Sequence, residues 1–285
     1  MIAHTLRCCI LVAAFCLTSS VLRADFIYSN FSSVNSTSGS QVLQLNGNAA
    51  LVGNVLRLTA SAPYQSGSAF TTNAISLGSN ASFSTYFQFN LSSSAGISDG
   101  DGPGADGIVF VVQTVSNTAG GAGGGIGYQG LTKSLGVEFD TYNNGEISGN
   151  HVGVDENGGL QDFAAINEPT RFNNGQTWNA WIDYDGVADQ LQVRWSLSTT
   201  RPVLPMLTLN SVDLPALLGQ NNAFVGFTAG TGSGYNNQDI LDWQFNQSFQ
   251  PIGDTQVPEP VSIAIFGCVA ISGAFFGCRR RKAVA

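Results

Sequence analysis

From residue 54 to residue 245 the chain is a succession of short runs in which apolar and polar residues alternate. The runs are broken by Gly, Asn and Ser, and none keeps a helical period for more than a turn or two. Alternation of period two is what a strand with one buried face requires. The runs are NVLRLTA (54–60), ASFSTYFQFNL (81–91), GIVFVVQ (107–113), LGVEFDTY (135–142), HVGVDE (151–156), WNAWIDYD (178–185), QLQVRWSL (190–197), AFVGFTAG (223–230) and ILDWQF (240–245). The second alternates most cleanly, with Phe83, Phe87, Phe89 and Leu91 on one face and Ser82, Ser84, Tyr86, Gln88 and Asn90 on the other. A one-residue slip would expose all its phenylalanines, so its register is well specified. Leu214 to Leu218, after Asp213 and with Pro215 near its start, is placed to make one helical turn. The fold class that follows is all-β, a sandwich of antiparallel sheets.

Both ends are expected to lie apart from that body. Residues 1–24 carry Arg7, the apolar run CCILVAAFCL and a small residue, Ala24, before DFIYSN, which is the layout of a secretory signal peptide. After a linker at 251–257 comes Pro258-Glu259-Pro260, then 18 apolar or small residues from Val261 to Cys278, then Arg279, Arg280, Arg281 and Lys282. A hydrophobic helix of that length falls at the short end of what spans a bilayer, with the basic cluster on the cytoplasmic side. The tripartite tail at 258–285 resembles the PEP-CTERM sorting signal of Gram-negative bacteria. That resemblance implies a membrane-anchored intermediate, cleavage by an exosortase-type protease, and a final place at the cell surface, outer membrane or extracellular matrix. An ordinary single-pass anchor is the alternative.

All five cysteines fall in these two end segments, so the body at 25–250 has none. A domain of that size can rest on its hydrophobic core alone, and a thiol nucleophile or zinc–cysteine cluster is excluded. Between 25 and 257 five basic residues face 18 acids, a net charge of −13. This argues against nucleic acid binding by a basic patch and is compatible with attraction of Ca²⁺.

The acids concentrate in GVEFDTYNNGEISGNHVGVDENGG, residues 136–159. Glu138 and Asp140, two apart on a strand, point to one side of the sheet, while Val137 and Phe139 point to the other. Ca²⁺ takes roughly six to eight hard oxygens, and Asp140, the Tyr142 carbonyl and Asn144 offer three kinds within one short segment. Glu138 and His151, sharing Asp140, could form a second site of mixed oxygen and nitrogen character, for a transition metal such as Mn²⁺. The other reading of these residues is a hydrogen-bonded hairpin with no ion. The Gly-rich GGAGGGIGYQG (120–130) precedes no helix pattern, so it reads as a tight surface loop whose bare N–H groups can approach a ligand, not as a phosphate cradle.

FIYSNF, VLRLTA with SGSAFTTNAISL, ASFSTYFQF, GADGIVFVVQ, GGGIGYQG, LGVEFDTYNN, NHVGVDENG, WNAWIDYDGVADQLQV and AFVGFTAGTGSGYNNQDILDWQF follow one another in an order and spacing that resembles the L-type (legume-type) lectins over nearly all of 25–250. The resemblance implies a concanavalin A-like jelly roll that binds glycans or exopolysaccharide in a calcium-dependent way. It implies a sugar site on Asp106, with a cis peptide between Ala105 and Asp106, a backbone N–H from Gly124, the Asn144 amide and the Tyr142 ring. Ser233, Gly234 and Tyr235 would contribute from the variable loop TGSGYNN (231–237). For metals it implies Glu138, Asp140, Tyr142, Asn144 and His151. One departure stands out, because the aspartate that bridges the two metals in such lectins is Gly149 here. Glu146 could supply the missing carboxylate, or Asn150 a neutral substitute. A homo-oligomer is left open.

Two other function classes share the scaffold. Laminarinase-type glycoside hydrolases need two carboxyls about 5–5.5 Å apart on one strand, as E-x-D-x-E or E-x-D-x-x-E. Here Glu138 and Asp140 are followed by Tyr142 and Asn143, so the second glutamate is absent. A structural or adhesive surface protein that kept the fold without sugar binding is the stronger alternative.

Overall fold

The computed structural model describes residues 24–77, 80 and 82–253. The chain divides into two units, Met1–Ile252 and Gly253–Ala285, and the first is described here. The signal segment expected at 1–24 (all but Ala24), most of the linker, and the expected sorting segment with its hydrophobic helix lie outside the described residues. Among the described residues no helix is long and apolar enough to cross a membrane.

The strands in chain order are β1 (Phe26–Tyr28), β2 (Leu43–Gly47), β3 (Ala50–Val52), β4 (Val55–Thr59), β5 (Ser66–Thr71), β6 (Ile75–Ser76), β7 (Phe83–Gly96), β8 (Ser98–Asp99), β9 (Gly102–Pro103), β10 (Gly107–Gln113), β11 (Ser134–Asp140), β12 (His151–Glu156), β13 (Ala164–Asn167), β14 (Thr177–Asp185), β15 (Gln190–Ser196), β16 (Leu207–Asn210), β17 (Asn222–Gly230) and β18 (Gly234–Asn246). One sheet runs β16-β15-β14-β7-β18-β4-β3, with β1 also on β18. The other runs β13-β12-β11-β10-β17-β5-β2, with β6 also on β17. All named pairings in both are antiparallel. The expected all-β jelly-roll class is therefore the observed one.

The core lies between the sheets and follows the alternation. Phe83, Phe87, Phe89 and Leu91 of β7 are fully buried, while Tyr86, Gln88 and Asn90 are partly exposed. Phe139 of β11 meets Phe89 at 5.0 Å, Phe172 at 5.5 Å and Phe87 at 5.8 Å between ring centroids, so the strand that carries Glu138 and Asp140 on one face is fixed by aromatic packing on the other. The single α-helix among the described residues, α1 (Leu214–Leu218), is the turn expected there. The Asp213 side chain accepts from the Ala216 N–H, and Gly219 closes the helix in the left-handed conformation.

Pairing continues further than the apolar pattern. Strand β7 runs on through Ser92–Gly96, because Asn237, Tyr235 and Gly234 of β18 pair with Ser92, Ala95 and Gly96. The loop expected at 231–237 is correspondingly shorter. Only Thr231–Ser233 connect β17 to β18, and Tyr235 is a strand residue.

Candidate functional site

The site forms where three strands of one sheet end together. Gly107, the first residue of β10, pairs with Asp140 at the end of β11 and with Gly230 at the end of β17. Asp106 immediately precedes it and is fastened on both sides: its N–H donates to the Gly230 carbonyl at 3.1 Å, and its own carbonyl accepts from the Thr141 N–H at 2.9 Å. A glycine is required next, since Gly107 has φ of +138° and a Cβ there would run into the Phe139 carbonyl. The Ala105–Asp106 peptide is cis. Gln238, fully buried on β18, donates its side-chain amide to both the Ala105 carbonyl (3.2 Å) and the Gly230 carbonyl (3.0 Å). Nothing in the sequence singled out Gln238, whose two partners come from different strand ends.

The Gly-rich segment forms a 3-10 turn at Gly123–Gly125. The Gly123 N–H donates to the Thr231 carbonyl at 3.0 Å, which ties this turn to the β17–β18 connection. A Cβ at Gly124 would collide with the Asn144 side-chain amide, so Gly124 and Asn144 are in close approach. Gly232 reaches the same place, and a Cβ on it would lie 3.5 Å from Asp106 Oδ2. Asp106, Gly124 and Asn144 are thus brought together.

Burial pushes the Asp106 carboxyl up to about 7; the Gly232 N–H and the Asn144 amide pull it down and the Glu146 charge pushes it up further. Asp106 is 4% exposed, and its Oδ2 makes no hydrogen bond. A buried carboxylate oxygen without a donor suits a ligand that supplies hydroxyl hydrogens.

The β11–β12 loop is held by its own carboxylates and amides. The Tyr142 N–H donates to Asp140 Oδ1 at 2.7 Å, and the Asn144 N–H to Glu146 Oε2 at 2.6 Å. Tyr142 is half-buried. Asp140 is raised well above the carboxylate range by burial, with His151 and the Tyr142 N–H opposing and Glu146 and Asp106 adding to the rise. The Asp140 carboxylate, the Tyr142 carbonyl and the Asn144 side-chain oxygen would together offer an all-oxygen set of the kind Ca²⁺ takes.

Beside Gly149 stand carboxylates from another loop, and Asn150 and Glu146 have partners of their own. Asn150 is committed elsewhere, donating to the Glu168 and Thr170 carbonyls and accepting from the Phe172 N–H. Glu146 Oε2 accepts from the Asn144 N–H, and the Glu146 charge bears on both Asp140 and Asp106. The space a side chain at 149 would need is taken by the Asp99 carboxylate, with Asp101 Oδ2 3.1 Å from the Cβ position. Asp99 Oδ2 also accepts from the Asn143 N–H at 2.9 Å. The acid-rich SDGDG between β7 and β10 was the available signal for it.

Of the variable-loop residues, Ser233 is exposed and its Oγ is 2.8 Å from the hydroxyl of Tyr64, itself 73% exposed. Gly234 is buried against Ala105, where a Cβ would be 2.9 Å from the Ala105 Cβ. Glu138 and His151 are both buried and lie 3.0 Å apart, Oε1 to Nε2. The sequence missed Asp162, whose Oδ2 is 3.4 Å from His151 Nε2.

Comparison with known proteins gives a consistent picture. The sequence profile of the legume lectin domain matches residues 23–260. The chain is 29% identical over 269 residues to the L-type lectin-domain containing receptor kinase I.7 of Arabidopsis thaliana, covering 85% of this chain and 38% of that protein. It therefore spans well under half the length of this curated relative. Among solved structures it is similar to the winged bean acidic lectin complexed with methyl-alpha-D-galactose (25% identity, TM-score 0.64, covering 79% of this chain and 98% of the other). It is also similar to the metal-free form of lectin I-B4 from Griffonia simplicifolia (27% identity, TM-score 0.63, covering 78% and 98%).

Proposed function

Since this chain belongs to the legume lectin domain family, we propose that it is a calcium-dependent carbohydrate-binding protein whose sugar pocket is Asp106, the Gly124 N–H, Asn144 and the Tyr142 ring, with Ser233 at the rim. The observation that carries the reading is the convergence of Asp106, Gly124 and Asn144, from three separate loops, around a buried carboxylate oxygen that no protein donor satisfies. A carboxylate accepting from two hydroxyls, a bare N–H and an aromatic face are what a pyranose offers partners for. The galactoside bound by the winged bean relative supports the same ligand class.

Calcium would be held by Asp140, the Tyr142 carbonyl and the Asn144 side-chain oxygen, with Asp99 the carboxylate nearest the place left by Gly149. When bound, the ion supplies positive charge that keeps Asp140 and Asp106 ionised. Asn144 belongs to both donor sets, so metal and sugar are coupled through one side chain. Binding rather than hydrolysis is favoured because Glu138 and Asp140 are 3% and 1% exposed, out of reach of a glycosidic bond. Export and attachment at the cell surface, with glycans or exopolysaccharide as partners, complete the proposal; its support is the apolar N-terminal run and the Pro-Glu-Pro tail.

The test is a glycan array probed with the purified protein, with and without Ca²⁺, alongside Asp106→Ala. Retention that requires Ca²⁺ and is lost in the variant is expected, together with a lower thermal midpoint in EDTA. Unchanged retention by Asp106→Ala defeats the site. The second reading, a surface protein with this fold and no sugar binding, draws on Gly149, and an empty array in Ca²⁺ would favour it.

A further inference from the structure

The β4–β5 loop, residues 60–65, carries an aromatic side chain that the Asp106 pocket does not use. Tyr64 is 73% exposed, yet it is tied down at both ends. Its N–H donates to the Gly232 carbonyl at 3.2 Å, and its hydroxyl lies 2.8 Å from Ser233 Oγ. The rest of the loop is stitched to the same β17–β18 connection. The Gln65 N–H donates to Thr231 Oγ1 at 2.9 Å, the Thr231 N–H to the Gln65 carbonyl at 2.9 Å, and Thr231 Oγ1 to the Ala62 carbonyl at 2.7 Å. The Gln65 side-chain oxygen accepts from the Ala60 N–H at 2.7 Å, which closes the loop on itself.

Gly232 links this loop to the pocket. Its carbonyl takes the Tyr64 N–H, and a Cβ on it would lie 3.5 Å from Asp106 Oδ2, so a single residue separates Tyr64 from the unsatisfied carboxylate. Tyr64 also has φ of +55°, in the left-handed region that a bulky side chain seldom takes. Such conformations persist where the surroundings enforce them, and they gather at ligand sites. A ring left in water and fixed in place adds nothing to the core. What it offers is area already immobilised: an apolar face for the C–H side of a sugar ring, and the hydroxyls of Tyr64 and Ser233 for its polar edge. Because the side chain is ordered before binding, less entropy is lost when a sugar settles on it.

We propose that Tyr64 and Ser233 form a second sugar subsite beside the Asp106 pocket, so that the glycan recognised is an oligosaccharide lying across the rim rather than a lone terminal residue. The inference rests on the sugar-pocket reading and deepens it: Asp106, Gly124 and Asn144 hold one pyranose, and the next residue of the glycan meets the β4–β5 loop.

The full-length protein in saturating Ca²⁺ is titrated calorimetrically with the methyl glycosides of galactose, glucose, mannose, N-acetylgalactosamine and fucose, and with a disaccharide and a trisaccharide ending in each. For a sugar that binds, the oligosaccharide is expected to bind about tenfold more tightly than the methyl glycoside. Tyr64→Ala should remove that advantage while leaving the methyl glycoside affinity and the thermal midpoint unchanged; Tyr64→Phe, which retains the ring, should keep most of it. Equal wild-type affinity for the two lengths, or an advantage that survives in Tyr64→Ala, would overturn the subsite and leave the Asp106 pocket standing. A loss in Tyr64→Ala shared equally by both lengths would overturn it too, placing Tyr64 in the primary pocket. Binding of none of these sugars by the wild type would defeat the pocket itself, and the subsite with it.

Discussion

The Asp99 carboxylate stands where a side chain on Gly149 would have to go. The two positions lie on different loops, so the glycine and the acid are a matched pair: a carboxylate delivered from the β8–β9 hairpin in place of one carried by the β11–β12 loop. Gly149→Asp, which restores the family's residue, should lower Ca²⁺ affinity and stability because two carboxylates then compete for one space. Gly149→Asp with Asp99→Ala should recover both. Titration calorimetry over the double-mutant cycle should show a favourable coupling of about 0.5–3 kcal/mol; additive effects would mean that the pair is not exchangeable.

Gly124→Ala should separate binding from folding. The added Cβ meets the far end of a flexible side chain, the Asn144 amide, rather than backbone. Stability should stay within about 0.5 kcal/mol of wild type. Glycan affinity should fall at least tenfold as Asn144 is displaced, measured by surface binding in saturating Ca²⁺.

The metal-free protein should lose stability as pH rises toward 8. Burial raises Asp106 to about 7 and Asp155 to about 6, both above the roughly 3.9 of an unfolded aspartate. A raised folded-state carboxyl favours the folded state fully below the unfolded value, and that contribution is lost as pH climbs through the folded one. The thermal midpoint in EDTA should therefore fall between pH 5 and pH 8, and Asp106→Asn should flatten part of that slope. A wild-type midpoint constant over this range would contradict the burial of an unsatisfied carboxyl at the site.

Phe139→Ala should destabilise by about 3–5 kcal/mol, the usual range for removing a fully buried ring. Phe139 is 0% exposed and touches Phe87, Phe89, Phe172 and Trp195. Because it backs the strand holding Glu138 and Asp140, Ca²⁺ affinity should weaken along with the denaturant midpoint. Loss of stability with unchanged Ca²⁺ affinity would show that core and site are uncoupled.

The alternation of Phe83, Phe87, Phe89 and Leu91 was enough to place a strand and its inner face, because burial of one face is a local periodic property. The continuation of β7 through Ser92–Gly96 was not legible, since those small polar residues are held in the sheet by pairing with β18, far away in sequence. Strand β5, SGSAFT, was hidden for the same reason. At the site, the residues of the β11–β12 segment could be read as a group because they are adjacent in the chain. Asp99, Asp162 and Gln238 could not, because each acquires its role from a partner that only folding brings near: Asp99 is 44 residues from the Asn143 N–H it accepts from, and Gln238 is 133 from the Ala105 carbonyl. Long-range registry, not composition, decides which carboxylates share a pocket.

Strand β18 begins at Gly234, beside the Asp106 pocket, and after 13 residues ends at Asn246, next to the start of the domain, where Phe26 pairs with Phe245 and the Asp25 N–H donates to the Phe245 carbonyl at 2.8 Å. At roughly 3.3 Å per residue the strand is about 40 Å long. Asp25 and Asn246 therefore lie together at the end of β18 remote from the pocket. A label attached at Asp25 is accordingly held at that end of β18, remote from the pocket.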